Sequence, residues 1–117
     1  MQLTPQITFK GLDHSDAVAA KVIEKIAHLE KFYNRIMSCR VVVEQSGKHH
    51  RKDNLFHVRV DLKLPGGELV VARSPSLHKS HKDVYVAIRD AFKSTQRELQ
   101  DYVGIHFANK PRIVNRS

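Results

Sequence analysis

In the segment HKDVYVAIRDAFKSTQREL, residues 81–99, Arg89, Lys93 and Arg97 recur at every fourth position. On an α-helix that spacing sets them in one row. Cations about 6 Å apart along a helix can meet successive phosphates of a nucleic acid, and each neutralised phosphate releases counterion. A second row lies upstream. Projected at about 100° per residue, Lys21, Lys25, His28, Lys31 and Arg35 gather on one flank of DHSDAVAAKVIEKIAHLEKFYNRI, with Glu24 as the acidic intruder. If both helices lie side by side on one sheet, the two flanks bound a common positive groove, with Lys79 and Lys82 at its entrance. The plainer account of either row alone is a solvated helix face whose lysine stems cover the core edge. Two rows together, with a net charge of +8 from 20 Lys and Arg against 12 Asp and Glu, favour a polyanion partner.

Other chemistries find little support. His49 and His50 fall in a polar loop, and His78 and His81 are three apart. A metal needs three or four ligands in a defined shell, and the lone Cys39 and the loop setting do not supply one. Cys39 reads as a small core residue on a strand, and a single cysteine fits a reducing cytoplasm. The sequence shows no phosphate-cradling glycine loop, nucleophile motif or convincing carboxylate pair. Asp83 is more simply a helix start signal, and Tyr85 a core or groove-edge residue. A binder is therefore expected rather than an enzyme, with no cofactor and no small-molecule substrate. No run approaches a membrane span, and MQLTPQITFK does not read as a signal peptide.

The elements that must position the rows follow from hydrophobic period. A chain of 117 residues with 41% apolar content predicts one compact domain. A first strand is expected around Gln6–Leu12, with Ile7 and Phe9 on one face. Ser15 suits an N-cap with Asp13 and Asp16 at the positive end of the dipole. Val18, Val22, Ile26, Leu29 and Tyr33 then mark a helix to about Phe32 or Tyr33. SCRVVVEQ predicts a strand and SGKHHRKDN a loop. LFHVRVDLKL alternates, with Phe56, Val58, Val60, Leu62 and Leu64 on a dry face. Pro65–Gly67 predicts a hairpin into ELVVARS. PSLHKSH reads as a loop, and Ser80 or Asp83 as the start of the last helix, whose pattern fades after Tyr102. The fold expected is α+β: a two-layer β-α-β-β-β-α sandwich, with a four-stranded mixed sheet and two helices on one face. Residues 1–105 form the domain and 106–117 a basic, flexible tail.

Three motifs, which follow one another along the chain in the family's order, resemble one family. DVYVAIRDAF…QREL resembles the Asp-x-Tyr-x-Ala-Ile helix opening and later Arg-x-Leu of the bacterial ribosome hibernation promoting factors, also called ribosome-associated inhibitors or sigma factor modulation proteins. KIAHLEKFYNRI resembles their Lys-x-x-x-Leu-Glu-x-Phe segment, and LPGGELVVAR their last hairpin. The resemblance covers roughly residues 1 to 105. It implies a stress or stationary-phase protein that occupies the mRNA and tRNA cleft, at the A and P sites, of the small ribosomal subunit. Its basic helix faces would contact ribosomal RNA and block translation. Lys25, Lys31, Arg35 and Arg97 stand where the family commonly has cations, and Asp83, Tyr85, Ala87 and Ile88 match its helix signature. Lys21, Lys79, Lys82, Arg89 and Lys93 rest on the row argument. His28 replaces a common Lys, and QDYVGIHFANK carries fewer lysines than the family's helix end. The chain looks like a short form without the dimerisation domain of long members, and a monomer is favoured.

The expected function is thus a ribosome hibernation factor of the cytoplasm, with the small subunit and its rRNA as partners and no membrane. A general double-stranded RNA binder of the same architecture is the first rival. A duplex binder would be displaced from ribosomes by free duplex, whereas a hibernation factor would compete with tRNA or mRNA. A protein-interaction module acting on a transcription regulator is the second, and would show little salt dependence.

Overall fold

The computed structural model describes residues 4–46, 55–73 and 83–108. Its elements run β1 (Gln6–Lys10), α1 (Asp16–Phe32), β2 (Ser38–Ser46), β3 (Leu55–Leu64), β4 (Gly67–Arg73) and α2 (Val84–Ala108). The strands lie side by side in sequence order, with β1 parallel to β2 and the other neighbours antiparallel. This is the expected α+β mixed sheet with two helices on one face.

Alternation in the strands becomes a dry sheet face. The register aligns Ile7, Val41, Val60 and Val71 in one row and Phe9, Val43 and Val58 in the next. Val41, Val43, Val58, Val60, Leu62 and Leu64 are all buried. Val18, Val22, Ile26 and Leu29 of α1 and Ala87, Ile88, Ala91, Phe92 and Leu99 of α2 close over them. Thr95 is buried in the same layer, and its hydroxyl donates to the Ala91 carbonyl at 2.7 Å. That bond removes the cost of an unpaired polar group in the core.

Local chemistry sets the boundaries. Gly11 ends β1 at φ +76, and a Cβ there would strike the Gln45 carbonyl oxygen, so the strand stops short of Leu12. Ser15 caps α1 by accepting from the Val18 N–H at 3.2 Å. Tyr33 ends it in an extended conformation while its N–H still donates to Leu29. Pro65 and Gly66 form the β3–β4 turn, with Gly66 at φ 90, where a type II turn demands glycine. Tyr102 donates its hydroxyl to the Pro65 carbonyl at 2.8 Å, tying α2 to this turn. Asp83 starts α2, accepting from the Tyr85 N–H at 2.9 Å; Ser80 lies outside the described residues. The helix does not fade at Tyr102 but continues to Ala108, since Tyr102 and Val103 still pack on the core.

Both helices run antiparallel to β1, so they are parallel to each other. Their N-termini, the end of β2 and the end of β4 share one end of the sheet. Of the tail expected at 106–117, residues 106–108 belong to α2 instead, because the helix runs on to Ala108; residues 109–117, 47–54 and 74–82 lie outside the described residues.

Candidate nucleic-acid interface

Each cationic row rides on a helix that the core fixes from below. Val22 and Ile26 are buried one turn apart, and Lys21 and Lys25 beside them are only half-buried. Their stems lie along apolar surface while the ammonium groups reach water. Lys21 pairs with Glu24 at 3.1 Å. Lys25, His28 and Lys31 line a shallow depression together with Glu24 and Ala27, all residues of α1. Arg35 is exposed but lies in the turn after the C-cap, so helical spacing does not place it in the row. On α2, Arg89, Lys93 and Arg97 are exposed. Arg89 contacts its neighbour Asp90 at 3.2 Å. Lys25, Lys31, Lys93 and Arg97 have no ion pair among the described residues.

The rows do not share one groove. Crossovers such as β1–α1–β2 are right-handed almost without exception. With the observed strand order, that hand turns Ala19, Ile23 and Glu30 of α1 toward α2. It turns Ala87 and Ala91 of α2 toward α1, in keeping with their complete burial. Lys21, Lys25 and His28 therefore lie on the far flank of α1, and Arg89 and Lys93 on the far flank of α2. Lys31 and Arg97 point out from the helix layer. The seam between the helices carries acids instead, with Asp16 and Glu30 on one side and Glu98 and Asp101 on the other. The cations of the helix layer form a pair of outward ridges.

The excess charge is also distributed unevenly. Segments 47–54, 74–82 and 109–117 hold Lys48, Arg51, Lys52, Lys79, Lys82, Lys110, Arg112 and Arg116 against the single acid Asp53. Nearly all of the +8 resides there, and the described residues are close to neutral. Counting charge segment by segment would have found this from sequence; counting it for the whole chain credited the helix rows with too much. Lys79 and Lys82 fall in one of these segments, as do His49, His50, His78 and His81, and all lie outside the described residues.

Among the described residues nothing covers the opposite face of the sheet, and it is differently charged. Arg40 stands opposite Asp61, Lys63 opposite Glu68, and Lys10 beside Glu44. Arg59 also contacts Asp61 at 2.9 Å. Cys39 lies beneath this face, 2% exposed. Burial, reinforced by the charges of Glu30 and Asp61, pushes its thiol up to about 12. It stays protonated, which suits packing and not nucleophilic chemistry. Among the described residues no group of three His, Cys, Asp or Glu could hold a metal. No described helix is long and apolar enough to cross a membrane.

Residues 6–104 match the family described as Sigma 54 modulation protein / S30EA ribosomal protein, and the chain belongs to that family. Two solved structures share the fold. A ribosomal subunit interface protein from Coxiella burnetii is 19% identical, with a TM-score of 0.68 over 86% of this chain and 97% of its own. The Protein Y N-terminal domain from Thermus thermophilus is 22% identical, with a TM-score of 0.66 over 87% of this chain and 99% of its own. No curated protein matches the sequence.

Proposed function

We propose that this protein is a ribosome hibernation factor. It binds the small subunit in the cleft for mRNA and for A- and P-site tRNA, and inhibits translation under stress or in stationary phase. The observation that carries this reading is the family match across residues 6–104, nearly the whole described fold. The half-buried Lys25 and the exposed Lys31, Lys93 and Arg97, none of them in an ion pair among the described residues, supply phosphate contacts, and the two-layer body supplies a shape that excludes mRNA and tRNA. Lys21, His28, Arg35 and Arg89 extend the contact, and Lys79 and Lys82 join it from their segment. Inhibition is by occupancy rather than turnover. A ribosome partner places the protein in the cytoplasm.

Sedimentation of the purified protein with small subunits, large subunits and whole ribosomes, across a salt series and with tRNA as competitor, tests this. The expected result is saturable one-to-one binding to the small subunit, weakened by salt and displaced by tRNA. No ribosome binding at low salt would contradict it, and displacement by free RNA duplex but not by tRNA would favour a general duplex binder.

A further inference from the structure

Aromatic rings in a domain of this size are normally spent on the core, and most of those described here are. Phe92 is buried, and Phe9, Tyr33, Phe56 and Tyr102 are partly buried against the core cluster. Phe32 and Tyr85 are different. They are 40% and 42% exposed, so a large part of each ring faces outward.

Their positions are not scattered. Tyr85 stands four residues before Arg89, so Tyr85, Arg89, Lys93 and Arg97 continue one row at one-turn spacing. Phe32 stands four residues after His28 and seven after Lys25, on the flank that carries Lys21 and Lys25. Each cationic ridge therefore ends in one exposed ring, Phe32 at the C-terminal end of α1 and Tyr85 at the N-terminal end of α2. Both are well anchored. The Tyr85 N–H is held by the Asp83 carboxylate, and Phe32 lies between Lys31 and the Tyr33 cap, whose N–H is bonded to Leu29. The Tyr85 hydroxyl has no partner within the described fold, unlike that of Tyr102.

We infer that Phe32 and Tyr85 are base-stacking residues, each receiving an unpaired nucleobase of the RNA whose phosphates the adjacent cations contact. The inference deepens the proposed function and rests on it. Sequence-specific capture of RNA uses splayed bases stacked on aromatic rings, and an exposed ring beside a row of cations supplies both parts of that contact. Phosphate contacts bind RNA wherever it is charged; two rings on opposite flanks fix where along the RNA the body sits.

The chain has no tryptophan, which makes a direct test available. Phe32→Trp and Tyr85→Trp each introduce one fluorophore, and a ring stacked on a base is quenched. Each is titrated with small ribosomal subunits, and the signal is read against the same subunits with the wild-type chain. Both variants should bind as the wild type does and lose fluorescence on binding. Phe32→Leu and Tyr85→Leu keep an apolar side chain without the π-face. Each should weaken binding by about tenfold to hundredfold, with an unchanged salt slope and an unchanged melting temperature. Arg89→Gln, by contrast, should lower the salt slope by about one unit. Wild-type affinity in either Leu variant, or binding without quenching in the matching Trp variant, removes that ring from the interface. Failure of the wild-type chain to bind small subunits at all overturns the hibernation reading itself, and this inference with it.

Discussion

Lysine and arginine appear on both outer surfaces of the sandwich, but in different company. On the bare side of the sheet, register sets Arg40 against Asp61, Lys63 against Glu68 and Lys10 beside Glu44. Each cation there has an anion within one strand spacing, so the face is nearly neutral at the distance of an approaching phosphate. On the helix layer the same residue types are largely sorted, with Glu24 beside Lys21 and Asp90 beside Arg89 as the exceptions. Acids line the seam between α1 and α2, and Lys25, Lys31, Lys93 and Arg97 stand away from it without ion pairs among the described residues. Helical period allows such sorting, because one flank can be basic while another is acidic. Strand alternation offers only two faces, and one is already used by the core. What separates a binding surface from a solvated one here is arrangement, not composition.

The largest effect should come from removing the layer that holds both surfaces. Ile88 is fully buried in α2, and Ile88→Ala should cost about 2–5 kcal/mol in urea unfolding. Next is the direct contrast. Reversing Lys25, Arg89 and Lys93 to Glu should weaken small-subunit binding by at least about a hundredfold at low salt while the fold survives. Unchanged co-sedimentation of that folded variant would take the helix ridges out of the interface. Cys39 reports on both sides at once, since Glu30 of the helix layer and Asp61 of the bare face both act on it. Its thiol binds its proton more tightly in the folded state than in the unfolded chain. Stability should therefore be unaffected by this group below pH 9.0 and decline as pH rises from there toward about 12. Cys39→Ala should flatten that decline in an alkaline series of melting curves.

Smaller effects sharpen the comparison. Asp83→Ala removes the cap that starts the α2 ridge and should cost about 1 kcal/mol by thermal unfolding. Neutralising Arg40 and Lys63 to Gln on the bare face should change ribosome affinity by less than about threefold, in line with the small worth of exposed charge pairs. A loss comparable to that of the helix variant would mean that both surfaces touch RNA.

The layers were legible in the sequence because each rests on a strong period. Val18, Val22, Ile26 and Leu29 mark α1, and Phe56 to Leu64 alternate along β3. The parallel β1–β2 pair followed from the strand-helix-strand order. The end of α2 was missed because Gly104 weakens the pattern, while the packing of Tyr102 and Val103 decides the matter. The common groove was expected in error for a different reason. Spacing shows which residues share a flank but not which way the flank turns, and that depends on crossover hand and strand order. Arg35 was miscounted because the helix stops at Phe32 and its Tyr33 cap. The rings of Phe32 and Tyr85 were readable from their spacing to Lys25 and Arg89, but only exposure distinguishes them from core aromatics.

The central claim, that the helix ridges and not the bare sheet face meet ribosomal RNA, is tested most directly by tethered cleavage. Ala27→Cys and Val70→Cys place a thiol on exposed positions of the two surfaces, and buried Cys39 leaves each new thiol as the reactive one. An iron chelate on either thiol generates hydroxyl radicals that cut nearby RNA backbone in bound small subunits. The account predicts strong local cuts from residue 27 and weak or absent cuts from residue 70. Strong cuts from residue 70 with none from residue 27 would contradict it.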